Sequence, residues 1–176
     1  MTTVELLRDL QSLCQKAVKD MVFPLQIQKG DKKQQYREPS VYLMRLPDGQ
    51  NADKYAPYIV IQFINDRHVQ KDGDKPRYFA NIRFIFCVYS EDEQEGAIML
   101  MNVIDRVKQA ILKKVQIGKS FLLNVHEPLE SLVYPDDTAP FFVGEMAGEF
   151  VLPAIEREVD FSNGFKKINT TVYRNG

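Results

Sequence analysis

The chain has 176 residues, 44% of them hydrophobic and 27% charged, with a formal net charge of −1. This is an ordinary globular composition, long enough for one domain with a real core and no need of disulfide or metal staples. The near-neutral balance lacks the basic excess of a nucleic-acid protein, which argues against nucleic-acid binding as the main task while leaving room for a local basic patch.

The first element reads as an amphipathic helix over residues 3–19. Thr2 is its cap and Glu5 completes a capping box. Leu6, Leu7, Leu10, Leu13, Cys14, Ala17 and Val18 recur at helical spacing along one face, and Pro24 is the stop. Residues 28–38 are polar and mostly charged, with Lys29, Lys32, Lys33 and Arg37, and read as an exposed loop or extended hairpin tip. A short strand follows over 41–46, then a turn at Pro47-Asp48-Gly49.

The centre reads as a hairpin. Residues 58–64 are an apolar, β-rich run, and residues 71–75 (Lys-Asp-Gly-Asp-Lys) carry turn chemistry. Residues 78–89 then alternate, with Ile82, Phe84, Phe86 and Val88 on one side and Asn81, Arg83, Ile85, Cys87 and Tyr89 on the other. The second side is mixed, so it is either half-exposed or an interface.

Ser90, with Glu93 three residues on, reads as the cap of a long helix over 91–114, roughly 24 residues and about 36 Å. Glu91, Asp92, Glu93 and Glu95 lie near its start and Lys108, Lys113 and Lys114 near its end, which suits the helix dipole. Ala97, Leu100, Met101, Ile104, Val107, Ile111 and Val115 form its apolar stripe, with Met101 assigned to the core and Met99 to the surface. Gly118 is the expected stop. One strand is expected within 121–133, interrupted near Pro128, and another over 141–152, joined through 136–140. After Pro153 the sequence turns polar, Asn163-Gly164 marks a turn, and the last residues read as an extended tail or edge strand.

Chemistry leaves few local marks. His68 and His126 have no ligand partners at metal spacing, and no nucleophile elbow or P-loop is present. Asp136 and Asp137, and Asp72-Gly73-Asp74, lack the further oxygen ligands of a calcium loop. Cys14 and Cys87 match no metal or redox spacing and read as buried reduced thiols. No catalytic group, cofactor site or metal site is therefore assigned. There is no leader-like apolar segment at the start and no run of about 20 apolar residues, so a cytoplasmic, membrane-free protein is expected.

The order of features carries a resemblance. A helix and a hairpin ending in Val88-Tyr89-Ser90-Glu91-Asp92 precede a Gly96-bearing long helix with Val103-Ile104-Asp105-Arg106-Val107. A late strand reads Phe141-Phe142-Val143-Gly144-Glu145-Met146 and continues through Phe150-Val151-Leu152-Pro153-Ala154-Ile155 to Glu158. This resembles the tail terminator, or tail-completion, proteins of long-tailed bacteriophages and prophages, over about residues 56–158. Phe150 stands where such proteins often carry tryptophan, and the segment 28–55 is longer than their minimum.

The capping boxes and apolar stripes predict an α+β fold with a single mixed or antiparallel sheet of at least four strands backed by two principal helices, and the resemblance implies the same class. Residues 1–158 would be one domain and residues 159–176 a C-terminal extension. It also implies a structural, non-enzymatic virion protein that forms a homo-oligomer, a hexameric ring, on the head-proximal end of the tail tube. The ring ends tube polymerisation and joins tail to head through the connector proteins, in the host bacterial cytoplasm during assembly and then in the virion tail. The assembly contacts named from the sequence are Lys29, Lys32, Lys33, Arg37, Ile85 and Tyr89. Three alternatives stay open: a head–tail connector or neck protein, a small phage nuclease, and a monomeric ligand-binding domain.

Overall fold

A computed structural model describes residues 2–27, 33–70, 75–134 and 139–155. The first helix, α1, spans Thr3–Val18 and opens with the expected capping box: the Thr2 hydroxyl accepts from the Glu5 amide while the Glu5 carboxylate accepts from the Thr2 amide. Leu6, Leu7, Leu10, Cys14 and Val18 are buried along one stripe, with Leu13 and Ala17 flanking it. The helix ends before Pro24, which sits in a two-residue strand β1 (Phe23–Pro24) paired antiparallel with β2 (Tyr36–Arg37). The described part of the basic segment is thus the return arm of a small hairpin. Lys29 and Lys32 lie outside the described residues, as do the turn at 71–74, Asp136 and Asp137, and residues 156–176 with Asn163-Gly164.

The main sheet is mixed and six-stranded. Its order is β3 (Ser40–Leu43), β4 (Tyr58–Val69), β5 (Arg77–Tyr89), β8 (Phe141–Leu152) and then β6 (Leu122–Leu123), with β7 (Glu130–Val133) also on β8. Among the described residues only β3 and β4 pair in parallel. Strands β6 and β7 are two pieces of one edge, interrupted around Pro128 as expected. The fold class read from the sequence is the observed one, an α+β arrangement of this sheet with α1 and α2 (Glu93–Leu112).

Four local expectations need correction. The cap of α2 is Asp92, whose carboxylate accepts from the Glu95 amide at 3.0 Å; Ser90 instead makes a turn with Asp92. Ser90 stays with the strand: its amide donates to Pro140 O at 2.9 Å, extending the β5–β8 ladder, and its hydroxyl is taken up by Asp92. The helix closes at Leu112, 20 residues in all. Val115 therefore lies beyond it and is exposed, and Gly118 belongs to the later 117–121 turn, where its φ of 58° suits glycine. Met99 and Met101 trade places: they sit about 100° to either side of Leu100, and Met99 packs on the core while Met101 is 53% exposed. The turn at Pro47-Asp48-Gly49 is also more than a turn, since Asp48 caps a 3-10 helix (Gly49–Tyr55).

The core lies between the helices and one sheet face. Ile59 and Ile61 of β4, Ile82, Phe84, Phe86 and Val88 of β5, and Met146 and Phe150 of β8 meet Leu6, Leu10, Leu100, Val107 and Ile111 of the two helices. Helix α2 approaches β8 closely enough that a Cβ at Gly96 would collide with the Phe142 ring. Both cysteines are free and buried. Burial pushes each thiol up to about 12; at Cys87 the hydrogen bond with the Tyr58 hydroxyl works in the opposite direction.

Candidate functional site

Both helices pack on the same side of the sheet, so the other side is not covered by either. Period-2 alternation decides what that open face carries. Two rows at one end are largely apolar: Tyr58, Cys87 and Val143 across β4, β5 and β8, then Val60, Ile85, Glu145 and Leu132 across β4, β5, β8 and β7. The next rows are polar: Gln62, Arg83, Ala147 and Glu130, then Asn65, Asn81 and Glu149.

The 3-10 helix and its approaches roof part of the apolar end. Ala56, Tyr58, Val60, Cys87 and Tyr89 form a second, smaller core with Leu46, Tyr42 and Tyr55. Tyr42 and Tyr55 meet edge to face at 5.9 Å, and Tyr89 lies 5.3 Å from Phe141. Tyr89 is only 5% exposed, and its hydroxyl donates to Glu91 at 3.1 Å. Of the two hairpin residues named as contacts, Tyr89 is thus a packing residue. Ile85 is half-buried and lines a shallow cavity of about 490 Å³ with Met44, Leu46 and Val60. Leu132, exposed, lies two strands away on the same face.

The basic segment divides in the same way. Lys33 is exposed, beside a small cavity that Asp53 also lines. Arg37 is turned inward: its guanidinium donates to the carbonyls of Tyr55 and Ala56, tying β2 to the entry of β4. Held in this way on two backbone carbonyls, Arg37 braces that crossing.

The polar end contains a network that the sequence reading missed. Glu149 is 5% exposed, yet it receives two hydrogen bonds from Arg67, both 2.8 Å, and one from the Asn124 amide at 2.6 Å. Arg67 also stacks over the Phe79 ring at 4.7 Å. Next to it Arg83 pairs with Glu145. Arg67 and Glu149 are 82 residues apart, so no local motif reveals them. The available signal was Glu145 and Glu149 in the same phase of an otherwise apolar strand, opposite to Met146 and Phe150.

The Arg67 hydrogen bonds, opposed by desolvation and helped by Asn124, hold the Glu149 carboxyl below the usual glutamate range. A depressed carboxyl stabilises the fold above its unfolded pKa, and that contribution is lost as pH falls through the lower folded value. Urea midpoints measured across pH should therefore fall more steeply below about pH 4.3 in the native chain than in Glu149→Gln. Parallel curves would show that the pair contributes nothing to acid sensitivity.

His68 is exposed with its ring 6.1 Å from Tyr78, and His126 is exposed with its backbone amide on the Asn124 side chain. The two histidines are not brought together with acidic or thiol groups: among the described residues no set of three or more His, Cys, Asp or Glu is placed to hold a metal ion. No protein-family model matches the sequence, and no curated protein matches it.

Proposed function

We propose that this protein is a structural assembly subunit of the tail-terminator kind. It forms a closed ring, six subunits, on the head-proximal end of a phage tail tube, stops tube growth and offers its other face to the head connector. It acts without catalysis, cofactor or metal, in the bacterial cytoplasm during assembly and afterwards in the virion tail. Among the described residues no helix is long and apolar enough to cross a membrane.

The observation that carries this reading is the one-sided sheet. Helices α1 and α2 back one face, while the other keeps Ile85, Val143 and Leu132 at least partly open beside the Arg83–Glu145 pair. An apolar patch with a charged rim is what a protein contact uses. A patch that meets a different surface on the next subunit closes into a ring when the rotation closes. The sequence features over about residues 56–158 resemble those of the tail-terminator proteins, and this resemblance supplies the partner and the ring.

Lys33, which is exposed, then belongs to the surface that meets the tube or the ring's lumen, and Lys32 is its neighbour in sequence. Reversing both to glutamate should abolish assembly on tube ends while leaving the thermal midpoint unchanged, because exposed charges contribute little to folding. Mass measurement in solution and electron microscopy of the protein mixed with tube protein read the first outcome, and calorimetry reads the second. A lowered midpoint with assembly intact would make the segment structural and remove it from the contact surface.

A further inference from the structure

Helices α1 and α2 run antiparallel, with Asp20 ion-paired to Arg106 at 3.4 Å near one end and the Asp9 carboxylate against Gly118 near the other. Between them, toward the end of α2, lies an open groove of about 550 Å³. Its floor is apolar, with Leu13 and Ala17 of α1 and Ala110 of α2. Three exposed lysines border it, Lys16, Lys113 and Lys114, against one carboxylate, Asp9, which leaves the groove two charges positive. Leu112 and Val115, on either side of the lysine pair, are 57% and 89% exposed. Apolar area with a charged rim is what a protein contact uses.

The open side of the sheet carries the opposite charge. Beside the row of Ile85 and Leu132 lies a shallow cavity of about 700 Å³. Four carboxylates line it, Glu127, Glu130, Glu145 and Glu149, against two guanidiniums, Arg67 and Arg83, which leaves it two charges negative. Glu149 holds Arg67 at 2.8 Å and Glu145 holds Arg83. Glu127, 3.7 Å from Arg67, and Glu130 are both exposed and supply the surplus.

We infer that the groove between α1 and the end of α2 receives the open face of a second copy of this chain. Glu127 and Glu130 of one subunit then stand against Lys16, Lys113 and Lys114 of the next, with Leu132, two residues from Glu130 on β7, toward the apolar floor. The two surfaces match in both respects that recognition reads: each is apolar at its centre, and their excess charges are equal and opposite. Such complementarity steers the encounter and fixes the register of the contact. The helices lie on the side of the sheet opposite the open face, so the two surfaces cannot meet within one subunit. They can meet from copy to copy, as a heterologous contact requires. The inference rests on the ring reading and supplies the second surface that reading needs.

Two full-length charge-reversal variants test it, Lys113→Glu/Lys114→Glu and Glu127→Lys/Glu130→Lys. Each is mixed with tail-tube protein from the phage or prophage that encodes the chain, and electron microscopy counts the tube ends that carry a ring. Either variant alone sets like charges across the contact, so the fraction of ringed ends should fall at least roughly tenfold. The two variants mixed in equal amounts should restore the rings. In an alternating ring, native face meets native groove and reversed face meets reversed groove. Rings formed at the native level by either variant alone overturn the inference and leave the ring reading standing. So does a loss in both that mixing fails to restore, which would assign these charges to the tube, the connector or the fold. Tube ends left bare by the native chain contradict the ring reading itself, and the inference with it.

Discussion

Phe84→Ala is expected to destabilise the fold by about 3–5 kcal/mol, the usual cost of emptying a fully buried aromatic site. Phe84 is fully buried at the middle of β5, in register with Ile61 on one side and Met146 on the other. Its ring lies 6.5 Å from that of Phe150, and the layer above is formed by both helices. Neighbours fixed in two ladders cannot collapse into the space left behind, so the cavity term adds to the lost transfer energy. For a chain of this length the thermal midpoint should fall by roughly 6–20 °C, a large part of the about 5–15 kcal/mol that holds a typical domain. Ile64→Ala is the matched control. It truncates a hydrophobe that stands half in water, and its effect should stay within about 0.5 kcal/mol. Calorimetry on both variants measures the difference. A Phe84 variant that melts with the native chain would mean that the sheet and helices do not share one core.

Ile85→Lys is expected to abolish ring formation while leaving the subunit folded. Ile85 points to the face opposite Phe84 and lies between Val60 and Glu145 in the cross-strand row. A lysine there keeps its aliphatic stem on the sheet and can set its ammonium against Glu145, so the isolated subunit loses little. Seating a neighbour over the same position would require stripping water from that ammonium, which is prohibitive in an apolar contact. Ile98→Lys, on the solvent side of α2 and already half-exposed, is the control and should assemble normally. Loss of assembly in both variants would indicate a general solubility effect. Loss in neither would move the contact away from the open face.

What could be read in the sequence was what local chemistry decides. The capping box of α1, its apolar stripe and the alternation of β5 were legible because each depends on residues within a few positions of one another. The start of α2 was misplaced because Ser90 and Asp92 are both good caps, and nothing in the local sequence separates them. The same holds for Met99 and Met101, which are equivalent on a helical wheel until neighbours break the tie. The open face was only half legible. Its apolar residues were visible as the second phase of β5, but the small core that Tyr89 joins also draws on Tyr42, Leu46 and Tyr55, which no local pattern places there. Arg37 was read as a free cation because nothing near it in sequence shows the carbonyls of Tyr55 and Ala56 that it holds. The Arg67–Glu149 pair joins two strands that meet only through β5, beyond any local pattern.

The account's central claim is that this chain ends a polymer by capping it. It is tested most directly by adding the purified protein to tail-tube protein, from the phage or prophage that encodes it, during polymerisation, and measuring tube length by electron microscopy. The account predicts shorter tubes as the ratio of added protein rises, with a ring of density at one end only. Tubes of unchanged length with bare ends would contradict it.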